Sequence, residues 1–284
     1  MRPIVTAVAS LAWCPSATNK HQRSLPVVDE GRRSRRSDVE TSVRTSAVWE
    51  SVRAVVAERE QRLGHALRVV DLGGGTGGLA VPLAQLGHHV TVIDPSPDAL
   101  ASLSRRAGDS GVADRIVAVQ GDAANLLEVH PDADADLVCC HGTLEFVDDP
   151  AATMRSVAGV LADGGCVSLV VATRIAAVLA RALAGQFAQA QRALTSDDGR
   201  WGPADPLPRR FDAAGITALV EGAGLVVEDS HGVRIFSDLV PASSIDSNAD
   251  RAALLELEQT ASRHPDYSFL GHIGAALHVL ARRP

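Results

Sequence analysis

The stretch Val69-Val70-Asp71-Leu72-Gly73-Gly74-Gly75-Thr76-Gly77-Gly78 holds the densest chemical signal in this sequence. A β-rich apolar run leads into glycines, and a helix-compatible segment follows. Glycine has no Cβ, so such a turn can tighten and bring its backbone against a ligand. The spacing Gly73-x-Gly75-x-x-Gly78 satisfies the fingerprint of nucleotide-binding turns. Asp94 closes the next apolar run, 21 residues after Gly73, where a carboxylate can accept hydrogen bonds from ribose hydroxyls. Together these residues predict a site for a cofactor that contains a nucleoside. The spacing alone does not separate a dinucleotide from another adenosine derivative.

Asp71 makes that separation. A pyrophosphate beside a buried carboxylate would meet a like charge, whereas S-adenosylmethionine has no phosphate and presents a cationic ammonium and a cationic sulfonium. The fuller pattern Asp71-x-Gly73-x-Gly75-x-Gly77 resembles the first motif of class I S-adenosylmethionine-dependent methyltransferases. S-adenosylmethionine is therefore the expected cofactor, with Asp71, Gly73, Gly74, Gly75, Gly77 and Asp94 in its site. Further on, Gly121-Asp122-Ala123-Ala124 follows the third apolar run, at the turn that meets the adenine in methyltransferases. Asp122 is expected to cap the next helix, to accept from the adenine amino group, or to do both. His141 emerges from the fourth run, in Cys139-Cys140-His141-Gly142-Thr143-Leu144-Glu145-Phe146, as either a plain polar residue or a cofactor contact.

Five short apolar runs, over residues 67–72, 90–93, 116–119, 137–140 and 166–171, position these residues. Each is β-rich and unbroken by charge, as expected of parallel strands buried on both faces. Ser96-Pro97 and Asp149-Pro150 each place a capping side chain before a proline at the first helical position. Asp163-Gly164-Gly165 is expected to stop the helix that starts at Pro150. Upstream, Ala47, Val48, Val52, Val55 and Val56 recur at helical spacing in a segment from Val43 to about Gly64. Such alternation predicts an α/β, doubly wound sheet. Residues 174–210 are read as a candidate lid or substrate segment; their latter part, from 185, is rich in Gln, Asp, Pro and Arg and offers no clear strand. A helix over 216–223 then precedes two late strands, 225–236 and 275–281, around a helix containing 252–257. The expected fold is a Rossmann-like, seven-stranded class I methyltransferase sheet with an antiparallel edge strand, over residues 38–284. Residues 1–37, ending in Gly31-Arg32-Arg33-Ser34-Arg35-Arg36-Ser37, are read as a flexible N-terminal extension, or else as a basic arm that touches RNA.

The chain also resembles the family of tRNA methyltransferases that esterify the carboxylate of 5-carboxymethoxyuridine at the anticodon wobble position. Matching stretches include Leu86-Gly87-His88, the run from His141 to Pro150, and Leu161-Ala162-Asp163-Gly164-Gly165. More specific are His231-Gly232-Val233-Arg234-Ile235-Phe236-Ser237-Asp238, Ala253-Leu254-Leu255-Glu256-Leu257-Glu258 and Leu277-His278-Val279-Leu280-Ala281-Arg282-Arg283-Pro284. The resemblance implies cofactor contacts at Arg44, Gly73, Gly74, Asp94, Ala123, Ala124 and His141, and a substrate contact at Arg234. Arg44, near a helix start, could clamp a carboxylate bidentately or be an exposed helix arginine. Arg234 could hold a carboxylate or a phosphate, or be a solvent-facing strand arginine. The family's lysine-rich run before the sixth strand is replaced by Gln191-Arg192-Ala193-Leu194-Thr195-Ser196-Asp197-Asp198.

Composition bounds the alternatives. The net charge is −7, so the surface as a whole does not advertise nucleic acid, and Lys20 is the only lysine among 27 basic residues. Aromatic residues make up 3% of the chain, leaving Val, Leu and Ala to fill the core. The four cysteines form no metal-ligand spacing and read as reduced thiols, which suits the cytoplasm. No apolar run approaches the ~20 residues that span a bilayer; residues 4–13 only faintly resemble a secretory signal. The expected partner is a tRNA anticodon loop or a small-molecule acceptor. The function classes are a methyltransferase acting on a carboxylate, a small-molecule O- or N-methyltransferase, and a non-enzymatic cofactor-binding interaction module.

Overall fold

The structure, a computed structural model, describes residues 48–241, 244–245 and 247–284, all within one unit. The extension expected over 1–37, its basic run, Arg44 and the start of the first helix lie outside the described residues.

Strand β1 (Arg68–Leu72) is followed by α2 (Ala80–Gln85), β2 (His89–Asp94), α3 (Pro97–Asp109), β3 (Ile116–Gln120), α4 (Leu126–Val129), β4 (Ala135–His141), α5 (Pro150–Val160) and β5 (Leu161–Ala172). Helix α1, described over residues 48–63, precedes them. All five strands are parallel, in the order β3-β2-β1-β4-β5. The apolar runs split by alternation into two cores. Val70, Leu72, Val138, Cys140, Val167 and Leu169 face α5 and the later helix over residues 213–222, while Val69, Val92, Leu137, Cys139 and Cys166 face α1, α2 and α3. Val52 and Val56, one helical turn apart on α1, close the second core.

The capping side chains act as expected. Ser96 Oγ accepts from the Ala99 N–H and Asp149 Oδ1 from the Ala152 N–H, each with proline at the next position. The stop of α5 differs. It ends at Val160, and Leu161 already pairs with Ala135 in the sheet. Asp163-Gly164-Gly165 instead lies within β5, where the β4–β5 register shifts, and Gly164 has φ +71°.

Residues 174–210 contain two helices that the sequence did not reveal, α6 (Arg174–Leu183) and α7 (Phe187–Thr195), packed against each other. Arg174 at the start of α6 donates to the Leu194 (3.4 Å), Ser196 and Asp197 (2.9 Å) carbonyls, which caps the C-terminal end of α7. Arg210 forms a two-pronged ion pair with the buried Asp205 at 2.6 and 2.9 Å.

Then come α8 (Ala213–Gly222), β6 (Val226–Val233), α9 (Asn248–Ser262) and β7 (Ala276–Arg282). The antiparallel pair forms one border of the sheet, and β7 is the reversed strand, inserted between β5 and β6. No helix among the described residues is long and apolar enough to cross a membrane.

Candidate functional site

The chain runs outward through β1, β2 and β3, then returns to lay β4 beside β1. That reversal opens a crevice beyond the carboxyl ends of the strands, the place where doubly wound sheets bind ligands. A cleft of about 550 Å³ lies there, lined by Leu72, Gly73, Ile93, Asp94, Asp122–Ala124, Gly142, Thr143, Phe146 and Asp148 among others. Its size suits a small-molecule ligand.

The glycine turn is shaped for close approach. Gly73 has φ +76°, and a Cβ there would run into the Thr143 hydroxyl, which itself donates to Leu72 O at 2.9 Å. Gly77 has φ +78°, and a Cβ would strike Leu103. The Asp94 carboxylate braces the turn: Oδ2 accepts from the Gly75 N–H and Oδ1 from the Ser96 N–H, both at 2.9 Å. Each carboxylate oxygen keeps a second lone pair for a ligand. Asp122 lines the same cleft while Oδ1 accepts from the N–H groups of Ala124 (2.8 Å) and Asn125 (3.2 Å), so it turns the chain into α4 and borders the cleft at once.

Asp71 is in β1 beneath the turn and does not line the cleft. A Cβ on Gly74 would come within 2.5 Å of its Oδ2. That oxygen is buried and makes no hydrogen bond among the described residues. Burial, with Asp94 as a second negative neighbour, raises the Asp71 pKa to about 7. A buried, underpaired carboxylate under a tight glycine turn fits a cationic cofactor and penalises a pyrophosphate. The S-adenosylmethionine expectation therefore fits the residues present.

His141 ends β4 next to Gly142 of the cleft. Its Nε2 lies 2.9 Å from Ser168 Oγ, and burial lowers its pKa to about 4. Arg234, at the carboxyl end of β6, is separated from β4 by β5 and β7, about 14 Å at the usual strand spacing. Among the described residues it is the one non-glycine with positive φ, +58°, and its guanidinium is 3.7 Å from Asp238.

Thr143 and Glu145 were not singled out by sequence reasoning. Glu145 Oε1 accepts from the Ala172 N–H at 2.6 Å, tying the loop after β4 to the end of β5. Only their place in the fourth run's continuation hinted at a role. Among the described residues no group of His, Cys, Asp or Glu is arranged to hold a metal ion.

A parallel sheet completed by a reversed strand between β5 and β6, with a glycine turn after β1 and an acid ending β2, defines a class I methyltransferase. Comparison with known proteins agrees. A methyltransferase-domain family matches residues 70–169. The tRNA 5-carboxymethoxyuridine methyltransferase of Escherichia coli K12 is 30% identical over 242 residues, 85% of this chain and 88% of that protein. A ubiquinone biosynthesis O-methyltransferase of Xanthomonas euvesicatoria is 34% identical over 118 residues, 42% of this chain and 48% of its own length. Among solved structures, an S-adenosylmethionine-dependent methyltransferase from Mesorhizobium loti has the same fold, with a TM-score of 0.56 at 21% identity, covering 85% of this chain and all of that one. The chain belongs to the family of tRNA 5-carboxymethoxyuridine methyltransferases, S-adenosylmethionine-dependent enzymes of class I.

Proposed function

We propose that the protein methylates a carboxylate oxygen, and that its acceptor is 5-carboxymethoxyuridine of tRNA, the substrate in the name of its Escherichia coli relative. The observation that carries this reading is the reach of that similarity, 85% of the chain, well beyond the methyltransferase domain at 70–169. A span of that length takes in Arg234, which a cofactor site alone would not need.

S-adenosylmethionine supplies an electrophilic methyl group on a sulfonium. The chain's residues bind and orient. Asp94 would take the ribose hydroxyls through its spare lone pairs, Asp122 with Ala123 and Ala124 would border the adenine, and the backbone of Gly73 to Gly77 would follow the ligand's contour. His141 and Arg44 would hold the methionine end. Asp71 would favour the cation from below without touching it. An acceptor carboxylate is already ionised at neutral pH, so attack on the methyl needs no general base. Positioning and electrostatics carry the rate, and Arg234 would grip the acceptor's anionic group. The helical pair α6–α7, which starts directly after β5, would wall the acceptor side. A cytoplasmic address suits the buried free thiols Cys139, Cys140 and Cys166.

One observation favours a small carboxylic acid as the acceptor instead. Arg174 and Arg210 spend their guanidiniums inside the lid segment, which leaves less positive charge for phosphates. Tritiated-methyl transfer into tRNA carrying 5-carboxymethoxyuridine, set against a panel of small carboxylic acids, decides between them. Labelled tRNA supports the main reading; labelling of an acid with tRNA silent at every salt concentration replaces it.

A further inference from the structure

Four neighbouring strands carry a continuous row of polar side chains across the face that packs on α1. His141 Nε2 on β4 is 2.9 Å from Ser168 Oγ on β5. Ser168 Oγ is 2.8 Å from His278 Nε2 on β7. His278 Nδ1 is 3.4 Å from His231 Nε2 on β6, which also lies 3.3 Å from Ser51 Oγ of α1. His231 Nδ1 is 3.1 Å from Asp229 Oδ2, an oxygen that Arg263 also contacts at 3.1 Å. Ser168, His278 and His231 are buried. Burial depresses the pKa of all three rings, so each is neutral at neutral pH and has one N–H and one bare nitrogen.

The row has a direction, and Asp229 sets it. A carboxylate oxygen only accepts, so His231 donates through Nδ1 and its Nε2 is bare. Ser51 Oγ at 3.3 Å and His278 Nδ1 at 3.4 Å both face that bare nitrogen; a bare Nδ1 on His278 would set two lone pairs against each other, so His278 carries its hydrogen on Nδ1 and its own Nε2 is bare. Ser168 must turn its hydroxyl hydrogen toward that nitrogen, leaving its lone pairs to accept from His141 Nε2–H. His141 is thus left with a bare Nδ1, for which no described residue is a donor.

We infer that Asp229, His231, His278 and Ser168 are positioning residues that lock His141 as its Nε2–H tautomer, so that Nδ1 accepts a hydrogen bond from the protonated amine of S-adenosylmethionine. The inference rests on the reading of His141 as a cofactor contact. The opposite tautomer would turn an N–H toward a cation, and a charged ring would repel it. Either would weaken binding, so the relay keeps both away from the cofactor.

The test uses full-length protein with 15N-labelled histidine, whose two ring nitrogens resonate far apart when one is protonated and the other bare. His141→Gln assigns its signals. Wild type should show His141 protonated at Nε2 alone. Ser168→Ala, a change of one buried oxygen, should give a mixture of tautomers at His141 and weaken S-adenosylhomocysteine binding by roughly tenfold, the effect of one charge-assisted hydrogen bond. Asp229→Asn, at the partly exposed far end where misfolding is not at stake, should also mix the His141 tautomers, since an amide can donate to His231. Protonation at Nδ1 in wild type, or a tautomer unmoved by both substitutions, overturns the relay. A shifted tautomer with unchanged S-adenosylhomocysteine affinity overturns the contact to the amine. Failure of wild type to bind S-adenosylhomocysteine while the tautomers behave as stated strikes the underlying cofactor reading instead.

Discussion

Glu258 and Ser237 are joined twice: Glu258 Oε1 accepts from the Ser237 backbone N–H and from its hydroxyl, each at 2.7 Å. The same buried carboxylate takes the N–H groups of Ile235 at 2.6 Å and Phe236 at 2.9 Å. One side chain of α9 therefore builds the turn that follows β6. It also holds Arg234, the residue just before that turn, in its left-handed backbone conformation.

Glu258→Leu should be among the most destabilising single changes in the chain. It would leave three backbone donors and a hydroxyl without their acceptor, at about 1–3 kcal/mol for a buried orphan. A total near 3 kcal/mol corresponds to a Tm lower by roughly 6–12 °C for a domain of this size. Thermal unfolding reads this directly, and a change under about 2 °C would show that water replaces the carboxylate.

Arg234→Gly separates strain from function. Glycine adopts a φ of +58° without a Cβ penalty, a gain of about 1 kcal/mol. The contact to Asp238 at 3.7 Å is partly exposed and offsets little of that. Tm should rise by a few degrees while methyl transfer falls tens- to hundredsfold. Arg234→Lys should recover little activity, because a point charge cannot copy a planar fork. Equal activity in all three proteins would make Arg234 a structural residue.

Asp94→Ala should cost more than cofactor affinity. Charge-assisted hydrogen bonds to a ribose are worth roughly 1.5–3 kcal/mol, so the dissociation constant measured by calorimetry should rise at least about tenfold. The N–H groups of Gly75 and Ser96 also lose their acceptor, so the apoprotein should melt lower as well. An unchanged dissociation constant would place the ribose elsewhere.

Asp71 predicts the pH dependence of the apoprotein. Its folded-state pKa of about 7 lies above the ordinary value of 3.8. Between those values the folded chain keeps a proton that the unfolded chain has released. The folded state therefore binds more protons, and this group's contribution to stability falls as pH rises through that window, then levels off. Asp71→Asn should remove that slope. Denaturant unfolding from pH 5 to pH 8 compares the two proteins, and parallel curves would mean that Asp71 does not titrate there.

The elements around the cleft were legible because parallel strands buried on both faces leave uncharged β-rich runs, and because Ser96, Asp149 and their prolines mark helix starts. The glycine turn, Asp94 and Asp122 fell where their spacing put them, since each directly ends or follows a strand that the sequence marks. Three features escaped for a common reason, namely that partners distant in sequence decide them. Helix α6 stops at Leu183 and α7 starts afresh at Phe187, and α7 is held by Arg174, which reaches across the lid to cap its far end. The stop of α5 was misplaced because Leu161 is claimed by Ala135 on a neighbouring strand. His141 read as a solitary histidine, since Ser168, His231 and His278 meet it only once β5, β7 and β6 lie side by side. The antiparallel border was anticipated as a pair; that β7 takes the inner place follows from pairing, which no single segment encodes.

That inner place shapes the order in which the protein can be assembled. Synthesis makes β5 and β6 well before β7, and both have their hydrogen-bonding sides vacant until Ala276–Arg282 leaves the ribosome and slides between them. Vacant strand borders invite pairing with other chains. An aggregation-exposed interval therefore runs from the completion of β6 at Val233 to the synthesis of β7 from Ala276, and the arrival of that one strand covers both vacant borders.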